Sequence, residues 1–258
     1  MRKSLLAVGV LLLAFAVPGL AHAAAPLTPT APGGLSIDFN GTGLFTDRLM
    51  QIVALITLLS VAPSILIMMT SFVRIVVVLS LLRTAMGLQQ SPPNSVIVSL
   101  SLFLTLFVMT PTLKDAYNQG IAPLVANQIT TEQAFDKTTT PLKKFMGQHV
   151  READLKLFLD MAHTPAPKSP DQIALTTLAP AFMLSELKRA FEIGFLLFVP
   201  FLIIDMAVAS ILMSMGMMML PPVIISLPFK LIFFVLVDGW HLVAGSLVQS
   251  FHPPISSG

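Results

Sequence analysis

The feature that most constrains this chain is a set of long apolar runs without charge. Leu49 to Val73 is 25 residues with no charged side chain, and Val96 to Leu113 is another 18. Ile193 to Ile204 and Met206 to Leu227 are separated only by Asp205, and Val223 to Val248 holds Lys230 and Asp238. A helix crosses a bilayer with about 20 apolar residues, so the pattern argues for membrane helices over a soluble fold. The charges avoid these runs: 17 of the 28 lie in the 76 residues from Lys114 to Arg189. Overall 11% of residues are charged, against about 25% in soluble domains. A net charge of +2 gives no ground for nucleic-acid binding. The absence of cysteine removes disulfides and thiol-ligated metals.

The first residues read as a processing signal. Arg2 and Lys3 precede an apolar run from Leu5 to Val17, Pro18 and Gly19 break it, and Ala21-His22-Ala23 offers small residues where a signal peptidase reads. Residues 1–23 are therefore expected to be a cleaved signal peptide, the alternative being an uncleaved anchor. Residues 24–45, rich in Pro, Thr, Ala and Gly, are expected to form a flexible periplasmic tether.

Two apolar helical hairpins follow, residues 46–113 and 190–251, flanking a helical periplasmic block at 114–189, with a short tail at 252–258. Each hairpin has an internal proline (Pro63, Pro200) and a Pro-Pro turn (Pro92-Pro93, Pro221-Pro222). The expected fold class is all-α with four membrane-spanning segments. With the mature start outside, four crossings put Arg74 and Arg83 in the cytoplasm, as the positive-inside rule prefers. If Leu49 to Arg83 is one helix, it is about 50 Å long, too long for a hydrocarbon core of roughly 30 Å. That length suggests packing into a protein assembly.

In the polar block, Thr130 and Gln133 have capping-box spacing. Val150, Asp154, Leu157, Phe158 and Met161 follow helical spacing, with their apolar members on one face. Ser169 reads as an N-cap with Pro170 at the first helical position, and Pro180 is expected to restart a helix.

The sequence has no Walker A, GxSxG, HExxH or dinucleotide-loop motif, and its histidines lack ligand spacing. No enzyme and no cofactor is expected. Two features carry functional weight. Arg74, Glu192, Asp205, Lys230 and Asp238 lie in or beside apolar runs, where an unpaired charge costs several kcal/mol. They read either as an ion path or as structural pairs for assembly, such as Asp205 with Lys230. Met213, Met215, Met217, Met218 and Met219 crowd the approach to Leu220-Pro221-Pro222. They read either as lipid-facing or core filler, or as a seal, because flexible thioether side chains mould round variable objects.

Several blocks together resemble the FliP family, the flagellar branch of a group that includes SctR of virulence type III secretion. They are Met69–Val78 (MTSFVRIVVV), Leu82–Gly87 (LRTAMG), Ser91–Asn94 (SPPN), Ser185–Phe191 (SELKRAF), Pro200–Asp205 (PFLIID), Met215–Pro222 (MGMMMLPP), Leu227–Lys230 (LPFK) and Leu236–Trp240 (LVDGW). The resemblance runs from about Thr46 to Phe251. It implies a multi-copy helical channel with FliQ and FliR, joined by FlhB and FlhA, that passes unfolded flagellar proteins across the inner membrane at the basal body. It also implies contact with membrane lipid and a methionine gasket at Met217, Met218 and Met219. A proton- or ion-coupled small-solute transporter is the other function in view.

Overall fold

A computed structural model describes residues 45–88, 90–163, 173–217 and 220–251. The expected signal peptide, nearly all of the tether and the tail at 252–258 fall outside them, as do Ser169 and Pro170. The helices are α1 (Phe45–Met68), α2 (Phe72–Ala85), α3 (Asn94–Ala116), α4 (Ala122–Val125), α5 (Thr131–His149), α6 (Glu152–Met161), α7 (Leu175–Ser214), α8 (Pro222–Leu236) and α9 (Gly239–Gln249). A π-helical turn, Tyr117–Ile121, joins α3 to α4. The fold is all-α, with no strand among the described residues.

Among the described residues two stretches are long and apolar enough to cross a membrane, Asn94–Val125 and Leu175–Ser214. The pair α8 and α9 passes the same test as a unit, bent by 63°. In the first hairpin, α1 contains a shorter apolar helical stretch, Ile52–Val61.

Leu49 to Arg83 is not one helix. The Thr70 hydroxyl donates to the carbonyl of Ile67 at 2.7 Å and accepts from the Phe72 N–H at 3.4 Å. Such local side-chain bonds compete with the helical ladder, so α1 stops and α2 starts afresh. The length argument moves to the second half. Helix α7 has 40 residues, about 60 Å at 1.5 Å per residue. It runs through Pro180 and Pro200 unbroken, so Pro180 does not restart a helix; α7 has already begun at Leu175. The expected boundary between residues 189 and 190 lies inside it.

Helix α2 is the centre of the packing. Ile75, Val78, Leu79, Leu82 and Ala85 are buried on one helical face, against Leu178, Phe182, Ala190 and Phe201 of α7 and the rest of one core. Gly194 lets α2 and α7 close, since a Cβ there would run into Leu81. Helix α5 adds Leu142, Phe145 and Met146. Its start carries the expected capping box: the Gln133 N–H donates to Thr130 Oγ1 at 3.4 Å, and the Thr130 N–H to Gln133 Oε1 at 3.3 Å. The α6 face expected from sequence is only partly the packed one: Asp154 and Phe158 are half-buried, but the packing centres on Leu155 and Leu159. Leu159 is buried, whereas Leu157 and Met161 are 48% and 68% exposed. Val150 sits outside α6 in extended backbone, ending α5. That break shifts the helical phase, so a pattern counted through it falls only partly on the packed side.

Candidate functional site

The helix α7 ends in the methionine run, and the structure shows what ends it. Gly216 has φ +75°, a left-handed conformation that costs glycine little. The Gly216 N–H bonds to the Met213 carbonyl at 3.1 Å, and the Met217 N–H reaches back to Leu212 at 3.0 Å. This is the pairing of a glycine-terminated helix end. The chain then leaves the helix axis, and Pro221 and Pro222 start α8. Met213, Met215 and Met217 are 56%, 64% and 42% exposed. These exposures do not suit core filler within this chain. Met218 and Met219 fall outside the described residues.

Below this loop lies an ion pair. Lys230 Nζ of α8 is 2.6 Å from Asp205 Oδ2 of α7. Ser226 donates its hydroxyl to Asp205 Oδ1 at 2.5 Å, and Lys230 also donates to the Ala85 carbonyl at 3.3 Å. The lysine therefore closes three elements at once: it neutralises Asp205, draws α8 onto α7, and satisfies a free carbonyl at the end of α2. A cation at a helix C-terminus also favours the helix dipole. The lysine is 3% exposed and the aspartate 28%.

A second charged cluster holds the other end of α2. The Arg74 guanidinium makes a two-pronged contact with Glu186 of α7, Nε to Oε2 at 2.7 Å and Nη2 to Oε1 at 2.5 Å. Its Nη1 donates to Ser250 Oγ at 2.9 Å, and the guanidinium carbon lies 3.7 Å from the Phe251 ring centre. Both charged side chains are essentially inaccessible, at 1% and 0%. The planar fork of arginine matches a carboxylate in this way, and lysine would not. Beside it, Ser185 donates to Asp154 Oδ2 of α6 at 2.7 Å and accepts from the Arg151 N–H at 3.0 Å.

Of the five charges picked out from sequence, Arg74, Asp205 and Lys230 lie in these two clusters. Glu192 and Asp238 do not. Glu192 points outward on α7, 60% exposed and 3.9 Å from Lys188 one turn back. Asp238 is exposed at the α8–α9 bend. Sequence reasoning missed Glu186, because it was counted with the polar block. The signal was present: Phe182, Glu186 and Ala190 are four residues apart, so they share the face of α7 that packs on α2.

The profile of the FliP family matches residues 55–247, which include Arg74, Glu186, Asp205, Lys230 and the methionine loop. The flagellar biosynthetic protein FliP of Caulobacter vibrioides is 59% identical over 233 residues, 90% of this chain and 87% of that protein. The protein of the same name from Bacillus subtilis is 55% identical over 202 residues, 78% of this chain and 91% of its own length. That of Aquifex aeolicus is 51% identical over 213 residues, 82% of this chain and 89% of its own length. With agreement of this extent across the helices that build the two clusters, the chain belongs to the FliP family.

Proposed function

We propose that this chain is a channel subunit of the flagellar protein export gate. As a FliP-family member it is a component of the flagellar export apparatus, which is not an enzyme family. In the finer reading, several copies assemble with FliQ and FliR, and FlhB and FlhA join them. Unfolded flagellar proteins then pass through the complex across the inner membrane. Residues 1–23 are removed after export of the amino terminus, and the block around α5 and α6 faces the periplasm. The observation that supports this most is the exposed methionine loop at the tip of a 40-residue apolar helix. In a ring, each copy turns Met217, Met218 and Met219 toward a common axis. Unbranched thioether chains fill such a hole without a fixed fit and move aside for varied polypeptides.

The two charge clusters then serve assembly by fixing the shape of each subunit. No observation favours the small-solute transporter: Asp205 and Lys230 neutralise one another. The test replaces Met217, Met218 and Met219 with alanine and measures complex yield and resting ion conductance in planar bilayers. Intact complex with raised conductance is expected. Intact complex with unchanged conductance would refute the seal.

A further inference from the structure

The end of α2 holds a cation with no acid to neutralise it. Arg83 donates through Nη1 to the Asn94 side chain at 2.6 Å and to the Pro92 carbonyl at 3.3 Å. Both acceptors are neutral. Among the described residues no carboxylate pairs with Arg83, and its Nε and Nη2 groups find no acceptor. The side chain is only half-buried. The membrane-length stretch that contains α3 begins at Asn94. The bond to Asn94 therefore holds the guanidinium at the level where that stretch enters the bilayer.

Two shallow apolar grooves start beside this arginine and follow α3. One, of about 190 Å³, lies between Leu79 of α2, Pro92, Ile97 and Trp240 of α9. The other, of about 340 Å³, is lined by Ser95, Ser99 and Phe103. Val96 and Leu100 border both, so the grooves share one wall. From Ser95 to Phe103 the helix rises about 12 Å, which stays within one leaflet of a hydrocarbon core of roughly 30 Å. Val96, Phe103 and Trp240 are 49%, 70% and 44% exposed, so the grooves open to the outside of the chain.

We propose that Arg83 and these grooves hold one anionic phospholipid, its phosphate on the free edge of the guanidinium and its two acyl chains on either side of Val96 and Leu100. Arginine takes phosphate through two parallel N–H groups, and basic sites between membrane helices bind anionic headgroups. Tryptophan suits the same boundary. The shape selects a lipid. A carboxylate on a partner helix, or on a second copy, arrives with one apolar ridge, whereas here one cation serves two grooves that part at its foot. On the α9 side the groove wall is flanked by Asp238 and His241, and Asp238 makes no ion pair with Arg83. The positive charge is therefore left for a ligand. The inference rests on α3 crossing the bilayer and not on the gate reading.

The experiment uses the full chain in the complex extracted with it from the membrane. It is titrated in mild detergent with dioleoyl phosphatidylglycerol, which is anionic, or dioleoyl phosphatidylcholine, which is neutral overall, and bound lipid is counted by native mass spectrometry. Phosphatidylglycerol is expected to bind at least about tenfold more tightly, the difference one hydrogen-bonded charge supplies. Arg83→Gln is expected to erase that preference. Val96→Phe, at an exposed position, narrows both grooves and is expected to weaken both lipids alike. Excess inorganic phosphate is expected to leave the lipid bound, because it has no chains for the grooves. Four results overturn the site: no preference in the unaltered complex, a preference that survives Arg83→Gln, unchanged binding in Val96→Phe, or displacement by inorganic phosphate. An unaltered complex that takes up no phosphatidylglycerol while Arg83→Gln fails to assemble overturns it too, and gives the arginine to a protein carboxylate. If Arg83→Gln does not fold, the lipid preference and Val96→Phe still decide. Each of these outcomes leaves the gate reading standing, since that reading is tested by the conductance of the methionine variants.

Discussion

Removing one member of the Arg74–Glu186 pair should destabilise the chain far more than removing both. Glu186→Gln leaves a guanidinium that is 1% exposed with no counter-charge. Breaking a buried pair in this way costs about 3–5 kcal/mol, a large part of a total stability of roughly 5–15 kcal/mol. For a domain of this size each kcal/mol moves Tm by about 2–4 °C, so the midpoint should fall by about 6–20 °C. In Arg74→Met/Glu186→Leu no charge is stranded. What remains lost is the bonding to Ser250 and the stacking on Phe251, about 1–2 kcal/mol together. The double variant should therefore recover most of the loss, with a coupling energy of at least about 2 kcal/mol between the sites. Thermal unfolding in detergent, followed by circular dichroism, measures all three variants. A fall below about 3 °C in Glu186→Gln, or additive effects in the double variant, would refute the view that this pair is a charge lock.

Three further outcomes follow from the geometry. Gly194→Val should separate α2 from α7, since its added carbons meet Leu81; a loss of about 1–3 kcal/mol is expected from overpacking, read by the same melts. Thr130→Ala should cost about 1 kcal/mol through the lost cap of α5 without changing complex yield, which native gels would report. The membrane-extracted protein should have an intact mass that begins at Ala24; a mass that includes Met1 to Ala23 would contradict signal cleavage.

Much of this fold was legible because lipid-depth helices announce themselves by composition. The all-α class, the capping box at Thr130 and the pairing of Asp205 with Lys230 needed only run lengths, spacing and the cost of isolated charge. What was not legible depended on short-range competition or on phase. The stop between α1 and α2 comes from one threonine hydroxyl at Thr70, which no hydropathy window registers. The continuity of α7 through Pro180 and Pro200 reflects tertiary support that outweighs the propensity of proline. Glu186 was hidden by its setting: counted among polar neighbours it looks solvated, and only its four-residue spacing from Phe182 and Ala190 puts it in the core. Glu192 shows the reverse, a charge next to an apolar run that simply faces outward.

The arrangement along α7 also separates two roles that a gate has to keep apart. Asp205 lies nine residues before Ser214, about 14 Å below the end of the helix. At that level Lys230 ties α7, α8 and the end of α2 together. Above it, the Gly216 turn adds no clamp: among the described residues nothing lies within 4 Å of where its Cβ would be, and Met215 and Met217 are exposed. In the gate proposed above, a tip built this way yields to a passing chain while its base holds the wall. Base and tip substitutions should then fail differently. Asp205→Asn strands the lysine charge, so it should lower complex yield, and Lys230→Met should do the same. Exchanging the two residues should restore part of that yield, because the 2.6 Å contact survives in reverse. Met217→Ala should leave yield unchanged and raise only resting conductance. Complex yield by native gel and conductance in planar bilayers, measured on the same four preparations, decide it. Normal assembly with abolished export in both single base variants would mean that Asp205 and Lys230 act in the translocation step, and the division between base and tip would fall.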